Sequence, residues 1–309
     1  MTMGITSPIT SFIVDQESGF PAPSKHEKLN RAIDKYKRLL SKFGKRPDSN
    51  EMRFSLADLY VGRNEPEDYA RAGVLYGEIM NLSGSANLRA RTEVGQAELM
   101  VPGIKKEKIA EAIALCQKAR HTLRDDLSDF FVAKTYIIEA DLRLVRDAKD
   151  DHKTALRIHE KLIKDRSANW YFRARSLLGK GELILYHYPP KMTEGILLCQ
   201  RAGKLLRERP GDYFALKSKV VEAELRMRRT KAGDFKAAEK VLKEVVSYPH
   251  AYHDLLGRAR LNLADISANP LAKKYFNDFQ QMEGVDPYLI DKAKLIAKKL
   301  KETSRQKRK

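Results

Sequence analysis

The stretch from Ala90-Arg91 to Ala97-Glu98-Leu99 returns down the chain at a near-constant interval, and this recurrence limits the fold more than any other property. Ala133-Lys134 stands before Ala140-Asp141-Leu142, Ala174-Arg175 before Gly181-Glu182-Leu183, Leu216-Lys217 before Ala223-Glu224-Leu225, and Gly257-Arg258 before Ala264-Asp265-Ile266. A degenerate first copy has Asn50-Glu51 before Ala57-Asp58-Leu59. The small residues at 57, 97, 140, 181, 223 and 264 are separated by 40, 43, 41, 42 and 41 residues. Self-similarity at such a period marks stacked helical units, because one unit cannot hide its apolar face alone. The length of 309 residues also calls for several domains or an array.

A second pattern accompanies the first. Ala32, Tyr36 and Leu39 stand at i, i+4 and i+7, one stripe of a helix. The stripe returns as Ala72-Tyr76-Ile79, Ala112-Cys116-Ala119, Ala155-His159-Leu162, Gly195-Cys199-Ala202 and Ala238-Leu242-Val245, with Ala272-Phe276-Phe279 as a seventh copy. Turn-forming clusters separate the two patterns: Asn64-Glu65-Pro66, Pro102-Gly103, Tyr188-Pro189-Pro190 and Ala232-Gly233-Asp234. The unit is therefore a first helix, a turn and a second helix. In the last unit the turn shrinks to Asn269-Pro270. Residues 1–24, with Pro8, Gly19, Pro21 and Pro23 around Phe12-Ile13-Val14, are expected to form an extended arm. Ser24 caps an expected helix from Lys25 to Phe43. After Gly284 and Pro287, Leu289, Ala293, Ile296 and Leu300 lie on one stripe of a closing helix, followed by a frayed basic tail.

A small residue, three others, a large apolar or aromatic one, two others and a small or apolar one resemble the second helix of tetratricopeptide repeats. The acidic-aromatic steps Asp68-Tyr69 and Asp234-Phe235 after the turn are similar to that family too. The resemblance covers roughly residues 25–284. It departs from the family in its period of 40–43 rather than 34 residues and in lacking most Trp and Leu-Gly positions of the first helix. Helices one to two turns longer account for the difference. The resemblance implies an all-α, right-handed superhelical solenoid of about six antiparallel helix pairs. Capping helices would stand at both ends: an arm over 1–24, repeats over 25–284, and a closing helix with its basic tail over 285–309. It also implies a non-catalytic scaffold, adaptor or assembly factor that holds a protein or peptide in the groove lined by the first helices.

Several columns read as core. Val94, Ile137, Leu178, Val220 and Leu261 stand three before the small residue, and Val101, Leu144, Leu185 and Met227 four after it. Both cysteines, Cys116 and Cys199, share a second-helix column with Tyr76, His159, Leu242 and Phe276 and are expected to be structural. His250 and His253 form a close pair with no carboxylate at ligand spacing. No nucleophile elbow, phosphate-cradling loop or HExxH motif occurs, so no enzyme, metal or cofactor is expected.

Two columns are charged. Arg91, Lys134, Arg175, Lys217 and Arg258 share one position; Glu98, Asp141, Glu182, Glu224 and Asp265 share another seven later. Seven residues of one helix span about 10.5 Å, too far for a direct pair, whereas packed helices lie about 8–10 Å apart. The columns therefore form either an inter-repeat charge ladder or a surface gripping a partner. Asparagine is missing from the positions by which some tetratricopeptide proteins hold a chaperone carboxyl terminus, so that ligand is not carried over. Phe131, Phe172 and Phe214 share a packing column with Leu88 and Leu255. Trp170, Tyr171 and Tyr213 remain beside Arg173 and Arg175 as anchors for a partner, stacking platforms for bases, or inter-repeat contacts.

Charge limits the partner. The chain carries 59 basic and 41 acidic residues, a balance of +18, which suits an acidic protein, a nucleic acid or an anionic membrane. The surplus gathers at the ends: residues 24–48 hold nine basic and three acidic groups, residues 291–309 nine and two. Lys298, Lys299, Lys301, Arg305, Lys307 and Arg308 form a candidate anionic-surface site. Base-by-base reading, as in pentatricopeptide proteins, needs a polar code that is missing, so any nucleic-acid binding should be weakly sequence-specific. No stretch reaches the roughly 20 apolar residues of a membrane helix. No signal peptide is visible, so the expected compartment is the cytoplasm. A processed periplasmic form stays open, as does a nuclear location suggested by Arg305–Lys309.

Overall fold

The structure is a computed structural model and describes residues 25–306, except 45, 47, 48, 64, 66, 102–105, 250, 269, 284 and 286. The arm over 1–24, the Pro102-Gly103 turn, His250, Lys307 and Arg308 lie outside the described residues, as does the side chain of Arg305. Among the described residues there are fourteen α-helices, one 3-10 turn and no strand. In chain order the helices are α1 (Lys25–Phe43), α2 (Ser49–Arg63), α3 (Asp68–Leu82), α4 (Ala86–Met100), α5 (Lys106–Thr122), α6 (Phe130–Arg146) and α7 (Asp151–Lys164). There follow α8 (Trp170–His187), α9 (Met192–Leu205), α10 (Tyr213–Arg229), α11 (Asp234–Val246), α12 (His253–Ile266), α13 (Leu271–Gln280) and α14 (Pro287–Gln306). The helix expected over Lys25 to Phe43 has those bounds. The basic tail, expected to fray from Ser304, continues as helix to Gln306.

Local chemistry sets the ends. Asp129 caps α6 by accepting from the backbone N–H of Phe131 (2.7 Å) and Val132 (3.1 Å), and Asp212 caps α10 through Phe214 N–H (2.8 Å). Asp147 and Thr230 close the same two helices in the left-handed conformation, each at φ 53°.

The chain divides into two compact units, one up to Asn169 and one from Trp170. Within the first, each helix from α1 to α7 packs on its neighbours in sequence, and the first helices of successive pairs, α2, α4 and α6, also touch one another. The second unit repeats this: α8 to α13 pack in succession, while α8, α10, α12 and the closing α14 form a contacting row. Among the described residues, second helices of successive pairs make no such contact within either unit.

The small-residue column lets the helices of a pair approach. Ala57, Ala97, Ala140 and Ala223 are fully buried. A Cβ on Gly181 would stand 2.9 Å from Cys199 Sγ, so the cysteine column packs on the small-residue column of the same pair. Gly95 is tighter still, since a Cβ there would run into the ring of Tyr76. Val94, Ile137, Leu178, Val220 and Leu261 are all buried, as are Val101 and Leu185, whereas Leu144 and Met227 are half-buried. At the carboxyl end Leu289, Ala293 and Ile296 of α14 cover Leu261, Phe276 and Phe279.

Candidate functional site

The charged columns lie on the row of first helices, and each described pair joins a base to an acid on the preceding first helix. Lys134 Nζ meets Glu98 Oε2 at 2.5 Å between α6 and α4. Lys217 Nζ meets Glu182 Oε1 at 2.9 Å, and Arg258 Nη2 meets Glu224 Oε2 at 2.6 Å. One further rung was not visible as such in the sequence. Lys299 of α14, placed among the candidate anionic-surface residues, donates to Asp265 Oδ1 at 2.7 Å and to the Asp265 carbonyl at 2.9 Å. Arg91 departs from the register, reaching Glu51 at 3.1 Å while its guanidinium lies between the rings of Phe54 and Phe131. Asp58, the acid of that column, instead accepts from Tyr76 Oη at 2.6 Å. Arg175 is buried with its guanidinium 4.5 Å from the Phe214 ring centre, and Asp141 is half-buried.

The pairs made by Lys134, Lys217 and Arg258 are not loose surface contacts, whereas Lys299 is exposed. Lys134 is only 1% exposed. Burial pushes the Glu224 carboxyl up, but Arg258 and Lys292 outweigh it and hold the group below the usual glutamate range. Burial raises Asp58, and Lys134 and the Tyr76 hydroxyl only partly offset it.

The aromatic candidates are placed inside the packing. Tyr171 is 3% exposed, and Tyr213 is 7% exposed with its hydroxyl donating to Asp254 Oδ2 at 2.9 Å. Trp170 is half-buried, edge-on to Tyr171. Cys116 and Cys199 are buried; burial raises the Cys116 thiol to about 12 and Cys199 well above its ordinary value. His159 is buried in the same column. Lys298 and Lys301 are exposed on α14. Among the described residues no group of three or more His, Cys, Asp or Glu could hold a metal ion, and no helix is long and apolar enough to cross a membrane.

A second charge device escaped the reading of the sequence. Arg63, Arg146 and Arg229 each end a first helix, and each makes a two-pronged pair with an aspartate that opens the next helix, Asp68, Asp151 and Asp234. Every one of these aspartates also accepts a backbone N–H from three residues before it: Glu65 at 3.0 Å, Ala148 at 2.9 Å and Lys231 at 2.8 Å. A residue with positive φ precedes each: Glu67, Asp150 and Gly233. The signal was present as Arg-x-x-x-x-Asp recurring every 83 residues. At the same spacing Gln117 and Gln200 donate to Glu139 and Glu222, which also receive Arg143 and Arg226. The clasp thus recurs at every second turn, a period of two helix pairs.

No protein-family model matches the chain, and no curated protein does.

Proposed function

We propose that the chain is a non-catalytic interaction scaffold, a divergent long-helix relative of tetratricopeptide-repeat proteins. In this proposal about six antiparallel helix pairs wind into a right-handed superhelix, and a protein partner of acidic character lies along the row of first helices. The observation that supports it is the asymmetry of packing. Within each unit, among the described residues, first helices touch one another as well as their own partners, whereas second helices do not, so the first helices of each unit form a row. Along that row the rungs at Lys217, Arg258 and Lys299 keep part of their surface in solvent and can exchange an internal acid for one on a partner.

Nucleic acid is the second reading, favoured by exposed Lys35, Lys37, Arg38 and Lys42 on α1 and Lys294, Lys298 and Lys301 on α14. The test is recovery of the tagged full-length chain from native extract with and without nuclease, followed by size-exclusion chromatography with light scattering. A protein held at fixed stoichiometry after nuclease treatment is the expected result. Retention that vanishes with nuclease would replace the scaffold proposal by the nucleic-acid one.

A further inference from the structure

Charges that return in every unit are explained by the packing of the units; a polar group that breaks the repeat needs another reason. Two such breaks meet in the second unit. Asn262, buried on α12, stands two before its small residue, where the five preceding copies have Ser55, Gly95, Ile138, Gly179 and Val221, none with an amide or a charge. Arg228, exposed on α10, stands five after its small residue, where the other copies have Gly62, Pro102, Val145, Tyr186 and Asn269, none charged.

Around them the polar atoms form one chain across three helices. Arg258 donates to Glu224 Oε2 at 2.6 Å, Asn262 Nδ2 donates to Glu224 Oε1 at 3.0 Å, and Lys292 of α14 donates to Asn262 Oδ1. Arg228 donates to the Leu185 carbonyl at 2.7 Å, with its guanidinium 5.6 Å from the Tyr186 ring centre. Burial is the largest influence depressing the Lys292 ammonium; Glu224 and Asp265 oppose it, while Arg258 and Arg228 add to it. Asp265 is already engaged by Lys299. Arg258 and Lys292 therefore both act on Glu224 and Arg228 acts on Lys292, beside half-buried Tyr186, with Tyr288 exposed on α14.

We propose that this seam of α10, α12 and α14 binds a carboxylate-rich segment of a protein partner, with Arg228 and Lys292 meeting its acidic side chains. The inference rests on the scaffold reading above and specifies the partner's chemistry. A half-buried surplus of positive charge strengthens hydrogen bonds to an incoming anion, and the planar fork of Arg228 matches a carboxylate. A nucleic-acid backbone suits the row less. Its continuous line of phosphates would pass over Glu182, Glu224 and Asp265, whereas a peptide can place its carboxylates singly.

The test uses the full-length chain and a fluorescein-labelled oligoglutamate peptide, followed by fluorescence anisotropy at physiological salt. Arg228→Gln with Lys292→Gln should weaken binding about tenfold or more, since each substitution removes a charge-assisted hydrogen bond to a carboxylate. Lys273→Gln with Lys274→Gln removes equal charge from exposed positions of α13 outside the seam and should change binding by less than about twofold. Gln at 292 keeps a donor for Asn262; should that variant melt early, the exposed Arg228→Gln alone carries the comparison. Equal losses in the two double variants, or no peptide binding by the unaltered chain, overturn the proposal. So does a single-stranded oligonucleotide whose binding depends on Arg228 and Lys292 when the peptide's does not. A protein that co-purifies equally with the unaltered chain and the seam variant would overturn the seam and leave the scaffold standing. Seam-dependent peptide binding without any protein partner in extract would sink the scaffold alone.

Discussion

Lys134 puts the greatest electrostatic demand on a single residue. Its ammonium is buried against Glu98 and also acts on Asp58, whose carboxyl burial has already raised. Lys134→Ala would leave two buried acids facing each other, at a cost of about 3–5 kcal/mol. Lys134→Met with Glu98→Gln removes both charges and should recover most of that loss in urea titrations. Equal midpoints for the two variants would show that the pair carries no such weight. The clasped turns offer a stabilising change. Glu67 has φ 70° where the third copy has Gly233 at φ 81°, and a non-glycine residue there costs about 1–2 kcal/mol. Glu67 is itself exposed and pairs with exposed Arg71 at 2.8 Å. Glu67→Gly should raise the melting temperature; a lower one would mean that the exposed pair outweighs the backbone term.

Among the elements, α14 decides whether the second unit has a finished core. Its stripe of Leu289, Ala293 and Ile296 covers Leu261, Phe276 and Phe279, and Lys299 adds the last rung to α12. A chain stopped after residue 286 would expose those rings. It should be cleaved within α12 and α13 by trace protease and should lose helical signal at a lower temperature than the full chain. Resistance equal to the full chain would mean that α13 alone closes the core. A charge at the seam of one pair gives the same information in the first unit. Leu142 is fully buried, worth about 1.5–3 kcal/mol of transfer free energy, and Leu142→Glu adds the burial of an unpaired carboxylate. An unchanged melting temperature would contradict its place in the core.

The whole molecule should be acid-sensitive in one direction. Arg146 and Arg229 hold Asp151 and Asp234 below the usual carboxylate range. For Asp68 and Glu139 burial pushes upward, but Arg63 and Arg120 outweigh it. A folded-state value below the unfolded one, about 3.9 for Asp and 4.3 for Glu, stabilises the fold above that pH. The contribution disappears as pH falls through the folded-state values. Asp58, raised by burial, has the opposite sign and offsets part of the loss. Chemical denaturation should therefore show stability declining below about pH 4, and Asp151→Asn should flatten the decline. A midpoint that stays constant as the buffer is taken from neutral to strongly acidic would refute it. The balance of +18 predicts a separate effect at this scale. Binding to heparin or any polyanion should fall steeply with salt, and sequence preference surviving high salt would favour the nucleic-acid reading.

The sequence by itself determined the helical period, the small-residue and apolar columns, and the alternating signs of the charged columns. Each depends on spacing along one helix, which sets the face a residue occupies whatever surrounds it. The clasps were legible in the same way, since arginine and aspartate stand five residues apart across one turn. Tertiary structure alone decided the rest. It paired Lys134, Lys217 and Arg258 each with an acid on the preceding first helix, sent Arg91 to Glu51, and gave the exposed Lys299 a rung with Asp265. It placed Tyr171 and Tyr213 within the packing and brought Asn262 and Lys292 to Glu224 across three helices. Partners across a seam depend on how far packed helices are staggered and turned, and spacing within any one of them contains neither quantity.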